Sequence, residues 1–166
     1  MFVVLVVGGF VEQWLDAVGV GSSLKALPLH REWFGANKTW RMLELFPPIC
    51  AVIACPIGLG TALGFGCGIA WVAGELPNSF VKRRLGIPAG ALSTSEQHAQ
   101  GWTFLQWLVD HIDSSAGVAL YLVAVVGWPT SEVLPLLPLA VLAHAAHNLI
   151  CSVAKPLVSH PVVATT

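Results

Sequence analysis

The chain has 166 residues, of which 55% are hydrophobic and only 10% are charged. A soluble domain carries about 25% charged residues, so an ordinary soluble enzyme is all but excluded. The formal net charge of −1 argues against a nucleic-acid-binding protein, because such a protein would show a strong basic excess.

The few charged residues are unevenly placed. About half of the chain lies in four stretches without Asp, Glu, Lys or Arg, namely residues 1–11, 45–74, 114–131 and 133–154. A transmembrane helix needs roughly 20 mostly apolar residues, and several such stretches are typical of a small multi-pass protein. We therefore predict an all-α polytopic membrane helix bundle, a single integral membrane domain located in the cell membrane.

The first predicted span covers residues 2–20 and carries Glu12 and Asp16 in its second half. Acidic residues inside a membrane are functional candidates by default, so both carboxylates could face an internal cavity. If the span instead ends near Val11, both lie at the membrane interface. A polar loop follows, over residues 21–41.

The next apolar stretch, residues 45–74, is long for one helix and short for two. One crossing gives four spans and divides the eight basic residues of the chain equally between the two sides of the membrane. Two crossings, with a turn at residues 56–60, give five spans and place all eight basic residues on one side. This distribution agrees with the general excess of Lys and Arg in cytoplasmic loops. We therefore predict spans over residues 43–57 and 59–74, an outside N-terminus and a cytoplasmic C-terminus.

A second polar loop, residues 75–101, leads to predicted spans over residues 103–128 and 133–154. In the last span, His144, His147 and Asn148 share one helix face, which favours a polar contact between helices over a metal site. In this topology three polar clusters, residues 35–41, 74–84 and 110–114, all lie at the cytoplasmic face.

The third cluster is acidic. Asp110 and Asp113 are three residues apart, so on a helix they share a face. Two carboxylates at the edge of the hydrocarbon repel each other and are costly to desolvate. Mg²⁺ would relieve both costs, since it binds one or two carboxylates together with phosphate oxygens and water. Two solvated acids at a helix start, where the helix dipole favours negative charge, fit the pattern equally well.

The second cluster is basic, with Ser79 and Lys82 at helical spacing before Arg83 and Arg84. Lys and Arg side chains suit phosphate oxygens. Taken alone, such a run more commonly sets membrane topology or contacts anionic lipid.

The first cluster allows two interpretations as well. Lys38, Thr39 and Arg41 either bind phosphate or form a basic interfacial loop with Trp40 as its anchor. Considered together, an acidic pair suited to Mg²⁺ and several basic side chains at the level of the bilayer indicate a site that binds a lipid phosphate and a nucleotide.

In the same order, the clusters resemble three motifs of the CDP-lipid synthases, that is, the archaeal CDP-archaeol synthase family and, more distantly, the CDP-diacylglycerol synthases. Residues 35–41, Gly-Ala-Asn-Lys-Thr-Trp-Arg, are similar to G-x-x-K-T-W-R-G, and residues 74–84 are similar to G-D-L-x-x-S-F-x-K-R-R. Residues 110–113 resemble D-x-x-D, the least specific of the three. The resemblance covers roughly residues 28–155, and the five-span topology also fits the archaeol branch.

The resemblance implies a Mg²⁺-dependent cytidylyltransferase that makes a CDP-lipid and pyrophosphate from CTP and a lipid phosphate, either phosphatidic acid or an isoprenoid ether glycerophosphate. It implies Asp110, Asp113 and Glu75 as metal ligands, with Lys82 stabilising the developing charge. It also implies a set of side chains that bind the phosphates of both substrates: Lys38, Thr39, Arg41, Asn78, Ser79, Arg83 and Arg84.

Three positions depart from the family motifs. Glu75 stands in place of Asp and is longer by one methylene, and Met42 replaces the glycine after Lys-Thr-Trp-Arg. Pro77 has no N–H group, so we predict that it begins or kinks a helix.

The alternative from another functional class is a non-catalytic or diverged membrane protein that binds anionic lipid through its basic cytoplasmic loops. Such a protein would need neither CTP nor Mg²⁺. It would also not require the acidic pair Asp110 and Asp113 beside its basic residues.

Overall fold

The computed structural model describes residues 1–20, 22–25, 27–88 and 100–146, and within these ranges it contains helices and no strand. The longer helices are α1 (Phe2–Ala17), α4 (Trp40–Ala54), α5 (Thr61–Arg84) and α6 (Gln100–Ala124). The helices α2 (Ser22–Lys25), α3 (Arg31–Phe34) and α7 (Thr130–Val133) are single turns, and residues 136–146 are also helical. The all-α prediction is therefore confirmed for the described part of the chain.

Helix lengths differ from the predicted spans. α1 has 16 residues and α4 has 15, whereas α5 and α6, with 24 and 25 residues, include charged side chains. Among the described residues, no helix combines the length and the apolar character that a membrane crossing requires. The last predicted span continues to residue 154, beyond the described residues.

α4 and α5 form an antiparallel hairpin whose turn, residues 55–60, lies where the sequence places it. Gly58 and Gly60 have φ angles of +78° and +81°, which glycine adopts without steric cost. Further along, a Cβ atom on Gly64 would lie 2.5 Å from the backbone oxygen of Cys50. The two helices therefore pack with their backbones in near contact.

α5 and α6 are also antiparallel and closely packed. A Cβ atom on Gly74 would lie 2.5 Å from the backbone oxygen of Asp113 and 3.1 Å from Cα of Gly117. Small residues at a helix contact allow this approach. As a result, the polar side chains that follow Gly74 on α5 meet those around Asp113 on α6.

The second polar cluster is helical, not a loop. α5 continues well past Gly74, contains Pro77 in its interior and ends at Arg84. The predicted boundary followed hydropathy, which marks where an apolar run ends but not where a helix ends. Three basic residues in the last turn of α5 favour this extension, because cations stabilise the C-terminal end of a helix dipole.

Arg41 ties α1 to α4. Its side chain is 4% exposed, and its Nη1 atom forms an ion pair with the carboxylate of Glu12. Nη2 donates to the backbone oxygen of Glu12 at 3.2 Å, Nε donates to the backbone oxygen of Val20 at 3.1 Å, and Asp16 lies 3.8 Å from Nη1. Both acids therefore belong to α1 and face Arg41.

We expect Gly74→Ala to destabilise the protein, because the added methyl group would force α5 and α6 apart. Overpacking of this kind costs about 1–3 kcal/mol, and circular dichroism would detect it as a lower unfolding temperature. Ala73→Ser, at the exposed neighbouring position, is the matched control and should unfold like the unmodified protein. Equal unfolding temperatures for all three proteins would contradict the close packing.

We expect Arg41→Met to lower the free energy of unfolding by on the order of 3 kcal/mol, because it removes the cation that the largely buried carboxylate of Glu12 contacts. The double variant Glu12→Gln/Arg41→Met should recover part of this loss, since the pair then carries no charge. Chemical denaturation of the two single variants and the double variant measures the coupling. Strictly additive effects would show that the two side chains do not stabilise each other.

Candidate functional site

Side chains from all three polar clusters meet in one hydrogen-bonded network, at the place where α5, α6 and the segment before α4 converge. We call it the polar network. From one end to the other it joins Lys38, Glu75, Ser114, Asp113, Asn78, Asp110 and Lys82.

An ion pair joins the first cluster to the second. Lys38 Nζ contacts Oε2 of Glu75, and the two side chains are 20% and 14% exposed. The other oxygen of Glu75, Oε1, accepts a hydrogen bond from Oγ of Ser114 at 2.9 Å. Glu75 therefore connects the loop before α4 with α6.

One hydrogen-bond donor, the side-chain amide of Asn78, contacts both aspartates. Asn78 Nδ2 donates to Oδ1 of Asp110 and to Oδ2 of Asp113, both at 2.7 Å. Lys82 Nζ forms an ion pair with the same oxygen of Asp110, and the backbone N–H of Ser114 donates to Oδ1 of Asp113 at 2.6 Å. These donors offset the repulsion between two carboxylates that α6 holds on one face.

The two carboxylates of the aspartate pair lie close enough to share one partner. Both converge on one point, the amide nitrogen of Asn78, and Mg²⁺ binds one or two protein carboxylates with water and phosphate oxygens. Glu75 is directed elsewhere, to Lys38 and Ser114. In the described part of the chain no three His, Cys, Asp or Glu side chains are grouped to hold a metal, so the structure brings together two of the three predicted ligands.

The remaining predicted residues lie outside the polar network. Thr39 is 6% exposed and precedes α4 without capping it through its side chain, and Arg41 is held by α1 as described above. Ser79 is partly buried on α5. Arg83 is also partly buried, and its Nε atom has no hydrogen-bond partner among the described residues.

Sequence reasoning missed Ser114 as a site residue. It is fully buried, and its single hydroxyl hydrogen is shared between Glu75 Oε1 at 2.9 Å and Asp113 Oδ1 at 3.1 Å, measured from Oγ. The sequence offered one indication of this role, the position of Ser114 directly after Asp113. Only the packing of α5 against α6 shows that this serine faces Glu75.

A cavity of about 170 Å³ lies on the α1 side of the polar network, and its walls include Glu12, Glu75 and His144. The ring of His144 lies 5.3 Å from that of Trp71 and 5.1 Å from that of His111, measured between centroids. His144 therefore contacts α5 and α6, whereas His147 and Asn148 lie outside the described residues.

A larger groove, of about 840 Å³, runs along the contact of α5 and α6. Its walls are mostly Ala, Val, Gly and Leu, and its polar end is formed by Asn78 and Asp113. We call it the α5–α6 groove. It joins an apolar surface to Asn78 and Asp113 of the polar network.

No protein-family model, curated protein sequence or solved structure matches this chain. Its function is therefore inferred from its own residues and their contacts.

Proposed function

We propose that this protein is a CTP-dependent lipid-phosphate cytidylyltransferase. It would convert CTP and a lipid phosphate, phosphatidic acid or an isoprenoid ether glycerophosphate, into a CDP-lipid of the CDP-diacylglycerol or CDP-archaeol type. The observation that carries the proposal is the polar network, in which three segments far apart in the sequence come into contact. The same three segments are those that resemble the motifs of one enzyme family.

The proposed reaction is a displacement at phosphorus. An oxygen of the lipid phosphate forms a bond to the α-phosphorus of CTP. The bond from this phosphorus to the oxygen that bridges to the β-phosphate breaks, and pyrophosphate leaves with the electron pair. Catalysis of such a step depends mainly on positioning and on the neutralisation of phosphate charge.

The polar network contains the side chains for this task. Lys38 and Lys82 would bind phosphate oxygens in exchange for the carboxylates that they contact in the structure. Mg²⁺ bound by Asp110 and Asp113 would neutralise further phosphate charge. Asn78 holds the two carboxylates side by side in the structure, and the cation would take the place of its amide N–H groups.

The α5–α6 groove supports a lipid as the second substrate. A hydrocarbon chain in the groove would contact mostly apolar side chains, and its phosphate would then lie beside Asn78 and Asp113. Burial of apolar surface would contribute roughly 25 cal/mol per Å² to binding. A water-soluble phosphate would have no use for such a groove.

We further propose that the protein spans the cell membrane five times, with its N-terminus outside and its site at the cytoplasmic face. Lys38 and Lys82 belong to one network, so both lie on the same side of any bilayer. This placement supports the five-span topology, in which both lysines lie at the cytoplasmic face. Large apolar side chains on outer helix faces, such as Val3, Val52 and Leu120 at 70%, 72% and 69% exposed, would be covered by lipid.

The proposed activity is tested with purified full-length protein in detergent, radiolabelled CTP, Mg²⁺ and each of the two lipid phosphates in turn. We expect a labelled CDP-lipid whose formation requires all three components. A folded protein that binds anionic vesicles but forms no CDP-lipid would instead support the non-catalytic lipid-binding function.

We expect Asp113→Asn to reduce turnover by at least about a hundredfold, because the substitution removes one of the two charges that would hold the cation. The variant should still fold, because its amide oxygen keeps the hydrogen bonds of one carboxylate oxygen and the substitution removes a largely buried charge. Glu132→Gln, on α7 and outside the polar network, is the control for loss of one acidic charge. Unchanged turnover of Asp113→Asn would remove this residue from the proposed metal site.

We expect Asn78→Asp to make the protein less stable without Mg²⁺ and more strongly stabilised by it. A third carboxylate would repel Asp110 and Asp113 and attract a divalent cation. Because ligand binding to the folded state stabilises it by mass action, the rise in unfolding temperature with Mg²⁺ should be largest in Asn78→Asp and smallest in Asp113→Asn. Identical Mg²⁺ responses in these variants and the unmodified protein would contradict the metal assignment, whatever the activity.

A further inference from the structure

A group of aromatic side chains lies beside the polar network, and the proposed reaction does not use it. The ring centroid of Trp33, on α3, lies 6.0 Å from that of Phe80 on α5 and 6.2 Å from that of Phe34. The ring centroid of His30 lies 4.8 Å from that of Trp33. Trp33 is nevertheless 48% exposed, so it presents a large apolar ring that is held in place but open to a ligand.

Trp33 and Lys38 belong to one closed loop, residues 27–40. The backbone N–H of Leu29 donates to the oxygen of Lys38 at 2.7 Å, and the N–H of Trp40 donates to the oxygen of Leu27 at 3.0 Å. These bonds join the two arms of the loop at its base, and α3 lies between the arms. The position of Trp33 relative to Lys38 is therefore set by the loop itself.

This loop rests on α5 at two points, through Lys38 on Glu75 and through Trp33 on Phe80. Residues 75 and 80 are separated by about 7.5 Å along the helix axis at 1.5 Å per residue. The aromatic group therefore lies one to two helical turns from the ion pair of Lys38 with Glu75, a separation suited to a ligand with an apolar ring at one end and phosphates at the other.

Polar side chains connect the two points. Glu75, Ser79 and Arg83 are four residues apart and form one strip along α5, and Phe80 is next to this strip. The Nε atom of Arg83 is buried and has no hydrogen-bond partner in the part of the chain that the structure describes, and the guanidinium carbon of Arg84 lies 5.0 Å from the ring centre of Phe80. Hydrogen-bond donors and positive charge therefore lie along the strip from the polar network to the aromatic group.

We propose that Trp33, supported by Phe80, binds the base of the nucleotide by stacking. The phosphates would follow the strip of Ser79 and Arg83 to the polar network. This inference rests on the proposed function, because it concerns the base of the same CTP whose phosphates meet Lys38 and Lys82. Every nucleobase has a face that stacks on an aromatic ring, so Trp33 would supply affinity for a base and leave the choice of base to other contacts.

The experiment compares the binding of CTP with that of inorganic tripolyphosphate, which carries the phosphates without a base. Both are titrated calorimetrically, with Mg²⁺, into purified full-length protein in detergent. We expect Trp33→Ala to weaken CTP binding about tenfold or more and to leave tripolyphosphate binding unchanged. Trp33→Phe should keep most of the CTP affinity, because it retains an aromatic ring.

Trp14→Ala is the matched control, because Trp14 is 63% exposed on α1 and lies outside the polar network and the loop. It should bind both ligands like the unmodified protein. Exposed tryptophans can also anchor a protein at the membrane interface. Trp14→Ala shows whether loss of such an anchor changes ligand binding in detergent, and we expect that it does not.

Two results would overturn the inference and leave the proposed function standing. One is CTP binding by Trp33→Ala that equals that of the unmodified protein. The other is a parallel loss of CTP and tripolyphosphate binding, which would assign Trp33 a purely structural role. If the unmodified protein binds neither ligand, the proposed function fails, and base stacking fails with it.

Discussion

The polar network depends on the close approach of α5 and α6 at Gly74. A single methyl group at this position would lie 2.5 Å from the backbone of α6, so any larger residue would separate the helices. The approach brings Asn78 within hydrogen-bond distance of both Asp110 and Asp113. Wider spacing would leave these carboxylates facing each other without their shared donor.

The charges of the polar network are not balanced, and this imbalance favours a cation. Two ammonium groups, those of Lys38 and Lys82, face three carboxylates, those of Glu75, Asp110 and Asp113. Each lysine contacts one carboxylate, so the carboxylate of Asp113 is held by neutral donors, the amide of Asn78 and the backbone and side chain of Ser114. A largely buried charge without an opposite charge is costly, and a divalent cation shared by the two aspartates would remove that cost.

α5 separates the surfaces that the two proposed substrates would use. The α5–α6 groove reaches the polar network along one side of the helix, through Asn78. The aromatic group of Trp33 packs on another side, at Phe80. In the proposed reaction, a lipid phosphate and a nucleotide would therefore approach the network from different directions, as an in-line displacement requires. The extension of α5 beyond the apolar run makes this possible, because one continuous helix carries both sides.

Much of the fold followed from local features of the sequence. The long apolar stretches predicted helices, and the glycine-rich segment at residues 56–60 predicted the turn between α4 and α5. The polar clusters, together with the family motifs that they resemble, singled out six of the seven side chains in the network. The helix ends were less predictable: α5 ends at Arg84, because helix formation continues wherever backbone hydrogen bonds and the dipole allow it, whatever the hydropathy.

The sequence by itself determined which residue types were available to form a polar site and which of them lie near one another along the chain, since spacing and composition are local properties. Only the tertiary structure decided their partners. Arg41, predicted to bind phosphate, is held by Glu12 on α1, and Lys38, in the same motif, reaches Glu75 instead. Trp33 carried no pattern that marked it, and Ser114 was marked only by its place beside Asp113, because their roles arise from contacts with other helices. Such contacts depend on how closely and at what angle the helices pack, and small residues such as Gly74 control that packing from positions that carry no chemistry of their own.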